Sequence, residues 1–260
     1  MSHYFAEMPE AEPATLHTIT VNLAGRPTEV FTAPGVFSAH RLDPGTAVLL
    51  RHEARLRAAP ASPPSPDPVH RAPDPRPAGQ PSSPPDAVRP APDTGPGAQG
   101  GAAGEAGGDA GPAGDGTVGG GNNLLDLGCG WGPLALTLAR LYPASVVWAV
   151  DTNPRALDLT RRNAQHLGLT NIRAVLPEDV DPGVVFDLIW SNPPIRIGKA
   201  ALHQMLMDWL GRLSAAGHAD LVVQKNLGAD SLAAWINAEA GFPTRKLASA
   251  KGYRVLRATR

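Results

Sequence analysis

"NLLDLGCGWGPLALTLARLY", residues 123–142, runs from a short apolar strand through a glycine-rich turn into a helix. Gly128 and Gly130 let the backbone of that turn bend sharply and come close to a ligand. The alternation continues toward the C-terminus. "SVVWAVD" reads as a second buried strand ending in an acid, and "NPRALDLTRRNAQHLG" as a helix with Pro154 in its first turn and Gly168 just past its end. "NIRAVLPEDV" gives a third strand and "FDLIWS" a fourth. "KAALHQMLMDWLGRLSAAG" has the pattern of a long amphipathic helix, with Leu202, Met205, Leu206, Trp209, Leu210 and Leu213 on one stripe. "HADLVVQ" is a fifth strand, "SLAAWINAEAG" another helix, and "FPTRKLA" with "GYRVLRA" can close the sheet as a hairpin. Strands alternating with helices predict an α/β fold, a parallel doubly wound sheet that binds ligands outside the carboxyl ends of its strands.

Upstream the composition changes. Fifteen of the 28 prolines fall in 60–121, with 14 of the 28 glycines and no Phe, Tyr or Trp. Such a segment cannot bury enough apolar surface to offset the entropy of ordering, so 60–121 is expected to be a disordered linker. Before it, "TLHTITVNLAGRPTEVFTAPGVFS" reads as short β-rich segments broken at Ala24-Gly25 and Pro34-Gly35. "LDPGTAVLLRHEARLRAA" reads as a helix capped by Asp43, with Pro44 in its first turn. The expected organisation is an N-terminal segment, 1–59, packing on a catalytic domain, 122–260.

The formal charge of −1 is uneven. Outside the linker there are 20 Lys and Arg against 17 acids, and Arg245, Lys246, Lys251, Arg254, Arg257 and Arg260 all follow the last acid, Glu239. A basic end suits a phosphate-bearing partner, although a solvated charged face has the same composition. A single cysteine rules out an internal disulfide framework. No run approaches a membrane span, and 1–14 lacks the features of a signal peptide, so a cytoplasmic protein is expected; it is also expected to be a monomer.

Acids stand at three consecutive strand ends. Asp126 points over the glycine turn, toward any ammonium group there. Asp151 is placed to accept from two ribose hydroxyls, and Glu178 with Asp179 could read an adenine amino group. That set looks like a site for S-adenosylmethionine. A dinucleotide would bring its pyrophosphate against Asp126, like charge on like charge. Cys129 lies in the turn as a small packing residue.

"DLIWSNPPIRIGK", 187–199, ends a strand on residues that cannot donate to a sheet. Pro193 and Pro194 hold extended backbone. The Asn192 side-chain oxygen and a main-chain carbonyl then form a pair of acceptors suited to an exocyclic NH2 group. No His/Cys/Asp cluster has metal-ligand spacing. Phe37 could line the target pocket or fill core, and Arg196 and Lys199 could contact flanking phosphates or simply be solvated.

"DLGCGWG", "AVDTNPRAL" and "SNPPI" together resemble the class I S-adenosylmethionine-dependent methyltransferases that modify exocyclic or amide nitrogens. "GVFSAHRLDPGTAVLL" with "SNPPIRIGK" resembles the guanine-N2 methyltransferases of small-subunit ribosomal RNA. The resemblance implies a Rossmann-like seven-stranded sheet with its last strand antiparallel. It implies cofactor contacts from Asp126, Gly128, Gly130, Asp151 and Asp179, with Asn192 and Pro193 holding the target amino group; Cys129, Glu178 and Asn192 are further candidates for cofactor contact, and Pro194 and Ile195 further candidates at the catalytic end. Phe37, Arg196 and Lys199 would meet the substrate, ribosomal RNA or the small subunit, with no metal and no membrane. Two departures stand out: Ile195 replaces an aromatic common after "NPP", and only 1–59 lies where ribosomal members often carry a degenerate copy of the fold. The expected reaction is methyl transfer to guanine N2 of 16S ribosomal RNA. The rivals are a protein glutamine or an adenine as target, or a non-catalytic assembly factor.

Overall fold

The computed structural model describes residues 15–58 and 122–260. The stretch expected to be a disordered linker, 60–121, lies outside the described residues.

The chain opens with an antiparallel hairpin, β1 (His17–Leu23) and β2 (Arg26–Thr32). Its two-residue turn, Ala24-Gly25, has φ of 52° and 77°, the positive pair that matches the twist of a tight hairpin. Helix α1 (Pro44–Ala58) follows, and Asp43 Oδ1 caps it by accepting from the Gly45 and Thr46 amides at 2.7 and 3.0 Å.

The second part is a seven-stranded sheet. Its strands are β3 (Asn123–Leu127), β4 (Val146–Val150), β5 (Ile172–Val175), β6 (Phe186–Ser191), β7 (Leu213–Gln224), β8 (Thr244–Ala250) and β9 (Tyr253–Thr259), in the order β5-β4-β3-β6-β7-β9-β8. All neighbours run parallel except β9, which lies antiparallel between β7 and β8. The helices α2 (Pro133–Leu141), α3 (Pro154–His166), α4 (Lys199–Leu210) and α5 (Ala229–Ala238) connect them. The strand order reverses between β3 and β6, which makes the crevice above those two carboxyl ends the expected ligand position.

The alternation along β3 explains the two cores. Leu124 packs with α2, α3, the hairpin and α1, while Leu125 and Leu127 pack with α4 and α5 on the opposite face. The hairpin is tied to the first face by Asn163 of α3. The side chain of Asn163 accepts from the Phe31 amide at 2.6 Å and donates to the Phe31 and Trp131 carbonyls, both at 2.9 Å. It mimics a strand partner for β2 and joins it to the glycine turn.

Two sequence expectations need correction. Leu213 does not continue the stripe of α4: the helix ends at Leu210, and Leu213 begins β7, paired with Phe186. Apolar residues at helical spacing carried the reading past Gly211, where the chain turns. The C-terminal cations are also not one free basic face. Arg257 forks onto buried Asp220 with two bonds of 2.7 Å, Arg254 pairs with Asp230, and Arg260 donates to the Gly211 and Leu213 carbonyls. Half of the basic end instead ties β9 and the residue after it to β7, α5 and the turn after α4.

Candidate active site

The turn after β3 is drawn over the end of β4, because the Gly128 and Cys129 amides both donate to the Val150 carbonyl, at 2.8 and 3.0 Å. Gly128 and Gly130 have φ of 78° and 58°, a conformation costly for any other residue. A side-chain carbon on Gly130 would meet only the Phe37 carbonyl at 4.0 Å, so the turn faces open space. Asp126, fully buried in β3, accepts from the Ala135 amide at the start of α2 with Oδ2, at 2.8 Å. Its Oδ1 is buried with no hydrogen-bond partner among the described residues. Burial pushes this carboxyl up to about 8, against the Ala135 hydrogen bond that favours its charge. A buried carboxylate oxygen lacking a donor, below an open glycine turn, fits an ammonium group; the residues present therefore fit the amino-acid end of S-adenosylmethionine.

Asp151 stands just past β4. Its Oδ2 accepts from the Gly130 amide and its Oδ1 from the Asn153 amide, each at 2.9 Å, and burial raises its carboxyl despite these bonds. The two bonds fix the carboxylate and leave each oxygen a further lone pair for a hydroxyl. Glu178 and Asp179 lie on a single 3-10 turn after β5, both exposed. Cys129 is buried, with its Sγ 3.6 Å from Thr160 Oγ1, and burial pushes its thiol further up, which leaves it inert as a nucleophile. Trp131 and Trp190 are both buried as core.

Asn192 follows β6 directly, across the switch point from Asp126. Its Nδ2 donates to Asp43 Oδ1 at 2.8 Å and to Thr46 Oγ1 at 3.1 Å, the first the cap of α1 and the second in its first turn. A carboxylate can only accept, so Asp43 settles which end of the Asn192 amide is which. Among the described residues Oδ1 has no donor, and Asn192 lines a cleft together with Asp126, Gly128, Gly130, Asp43, Thr46 and Phe37. Sequence reasoning read Asp43 only as a helix cap and passed over Thr46. The signal was present in "LDPGT", since one carboxylate oxygen serves the cap and the asparagine together.

Pro193 is buried and its carbonyl accepts from the Ile195 amide at 2.9 Å, so one of the two lone pairs on that oxygen is used. Ile195 is half-buried and opens a 3-10 turn, Ile195–Ile197. Phe37 does not fill core: it is 65% exposed and lines the cleft. Arg196 and Lys199 are exposed beyond Ile195. Charge divides along the carboxyl edge of the sheet. Asp126, Asp151, Glu178 and Asp179 stand over β3 to β5. Arg196 and Lys199, with Lys225 after β7 and Lys251 in the β8–β9 turn, stand exposed over the other half. The Lys225 amide donates to the Gly252 carbonyl at 2.7 Å, which brings the last two together.

Among the described residues no group of three His, Cys, Asp or Glu could hold a metal ion, and no helix is long and apolar enough to cross a membrane.

The model of the methyltransferase small domain family matches residues 118–257. The chain is 38% identical over 111 residues to the uncharacterized protein YbxB of Bacillus subtilis, across 42% of this chain and 55% of that one. It is 29% identical over 239 residues to ribosomal RNA small subunit methyltransferase C of Hahella chejuensis, across 89% of this chain and 49% of that one. It is 46% identical over 74 residues to release factor glutamine methyltransferase of Escherichia coli, across 27% and 26%. The chain thus spans about half, or less, of the length of these relatives. The solved structure of a T. thermophilus 16S rRNA guanine-N2 methyltransferase, in complex with AdoMet and guanosine, superposes on 98% of this chain and 53% of its own with a TM-score of 0.62. At 19% identity that likeness is one of fold.

Proposed function

The chain belongs to the methyltransferase small domain family, and from that premise we propose that it transfers a methyl group from S-adenosylmethionine to guanine N2 of 16S ribosomal RNA. The observation that carries this reading is the amide of Asn192. Asp43 and Thr46 take its NH2, so the free Oδ1 can only accept. An acceptor fixed at the end of β6, at the switch point, suits a substrate that presents N–H groups.

Asp126 holds the cofactor's ammonium with Oδ1, Asp151 its ribose, and the turn 128–130 lets its chain lie against backbone. Bound there, the cofactor supplies a methyl carbon already activated on a sulfonium sulfur. Asn192 Oδ1 accepts one hydrogen of the target amine, and the remaining lone pair of the Pro193 carbonyl accepts the other. Drawing both hydrogens to one side turns the nitrogen lone pair away from the ring and toward the methyl, and the methylated nitrogen would then lose one of those two protons to water. Positioning supplies most of the acceleration, as expected when the electrophile is already reactive. Phe37, exposed at the cleft, supplies the flat apolar contact that Ile195 lacks, worth about 1–3 kcal/mol for a stacked base. The N-terminal segment is therefore part of the catalytic unit: α1 delivers Asp43 and Thr46, and the loop before it delivers Phe37.

Two things support RNA as the target. The cations at the carboxyl edge stand on the substrate half, away from the acids of the cofactor half. The Hahella chejuensis relative, aligned over nearly the whole chain, is a ribosomal RNA methyltransferase. The glutamine-modifying relative aligns over 74 residues only. The test is methyl transfer in vitro from labelled cofactor to deproteinised 16S ribosomal RNA, to small subunits and to a glutamine-containing release factor. Label recovered as N2-methylguanosine supports the reading, and label on the release factor replaces it.

A further inference from the structure

A second cleft, of about 240 Å3, lies between the start of α4 and the turn before α5. Ile195, three residues after Asn192, forms its wall, so the cleft begins within about 10 Å of chain from the acceptor amide. Leu202 and Leu227 add apolar lining, and Leu227 is 43% exposed there. The imidazole of His203 also lines it, stacked on the Trp235 indole with ring centroids 3.5 Å apart and planes at 16°. Burial and the Lys199 ammonium lower the pKa of this imidazole against the pull of Glu239, and so favour its neutral form. Lys199 stands at the rim.

We propose that this cleft is a subsite for the base of the RNA nucleotide adjacent to the target guanine. An RNA strand whose guanine reaches Asn192 must carry its neighbour past Ile195. A site for that neighbour needs apolar walls, a flat neutral ring held rigid from behind, and a cation for the phosphate between the two nucleotides. Ile195, Leu202 and Leu227 provide the walls, His203 on Trp235 the ring, and Lys199 the cation. The position fixes the class of occupant: the site continues the acceptor pocket, on the half of the sheet edge where the exposed cations lie. It also accounts for Leu227, a large apolar side chain left in water by the fold. This inference rests on the RNA reading given above and adds to it a second contact that selects sequence or strand conformation.

The test is the rate of methyl transfer to 16S ribosomal RNA by Leu227→Glu and His203→Ala, with His203→Phe as the conservative variant. Leu227 is exposed, so its replacement leaves the fold intact. About a tenfold fall in kcat/KM for Leu227→Glu and His203→Ala is expected, with cofactor Kd unchanged and His203→Phe close to the parent. An RNA lacking the base next to the methylated guanine should lose the same factor with the parent protein and nothing more with Leu227→Glu. Leu227→Glu and His203→Ala variants that both match the parent, or losses that add in full, overturn the subsite while leaving the enzyme's target in place. A parent protein that methylates no RNA removes both readings together.

Discussion

Asp126→Asn isolates the ammonium contact. The asparagine oxygen can keep the 2.8 Å bond from the Ala135 amide, so the start of α2 stays tied to β3. What changes is the other atom: an NH2 group replaces the unpartnered Oδ1 and faces the cofactor's ammonium donor to donor. Removing one partner of a buried, hydrogen-bonded charge pair costs ~2–5 kcal/mol. A loss of ~3–4 kcal/mol would raise the cofactor Kd roughly 100- to 1,000-fold. Folding stability should move the other way. The carboxyl is raised from 3.8 to about 8, so its folded form is protonated and the stability this gives is full below 3.8 and lost as pH rises through 8. The shift corresponds to at most about 6 kcal/mol. Asp126→Asn should therefore gain thermal stability over the parent at pH 9 and little at pH 5. Because Asp126 must ionise to meet the ammonium, binding at pH 7 should release about one proton. Isothermal titration in two buffers of different ionisation enthalpy reads both quantities. A variant that binds within threefold of the parent and releases the same proton would refute the assignment.

Asn192→Ala should reduce methyl transfer at least ~100-fold at unchanged cofactor Kd, measured in single turnovers. Asp43→Asn keeps a good helix cap but no longer dictates the orientation of the Asn192 amide, so kcat should fall ~10- to 100-fold with little change in melting temperature. Phe37→Ala should raise the RNA KM ~5- to 100-fold and leave thermal unfolding unchanged, since the ring packs on little in the folded protein. Glu53 of α1 is buried beside Asp220 and Arg257, and burial with the Asp220 carboxylate raises it to about 7. Its stability contribution is present below pH 4.5 and is lost through pH 7, so Glu53→Gln should flatten the fall in melting temperature between pH 5 and 8.

The order of elements after residue 122 was legible because each obeys local rules: apolar runs of strand length, Pro154 at a helix start, glycines where φ is positive. The two tight hairpins were legible for the same reason. Local rules failed where tertiary pairing took over. Leu213 keeps helical spacing with Leu210 yet pairs with Phe186, and nothing near it in sequence announces that register. The insertion of β9 between β7 and β8 follows from the antiparallel pairing of residues 218–224 with 253–259, again a contact between distant segments. In the site, Asp126, Asp151 and Asn192 announced themselves as polar residues ending apolar strands. Asp43 and Thr46 did not, because their role exists only once α1 lies against the end of β6, 146 to 149 residues away in sequence. Phe37 was ambiguous for a related reason: an aromatic after a turn reads as core until the fold leaves it in solvent.

The account turns on Asn192 presenting an acceptor to the exocyclic amine of guanine. Its most direct test is nucleoside mass spectrometry of 16S ribosomal RNA from cells lacking the gene, complemented with the parent or with Asn192→Ala. One N2-methylguanosine should be absent from the deletion strain, restored by the parent and not restored by the variant. An unchanged N2-methylguanosine content across all three strains, or full restoration by Asn192→Ala, would contradict it.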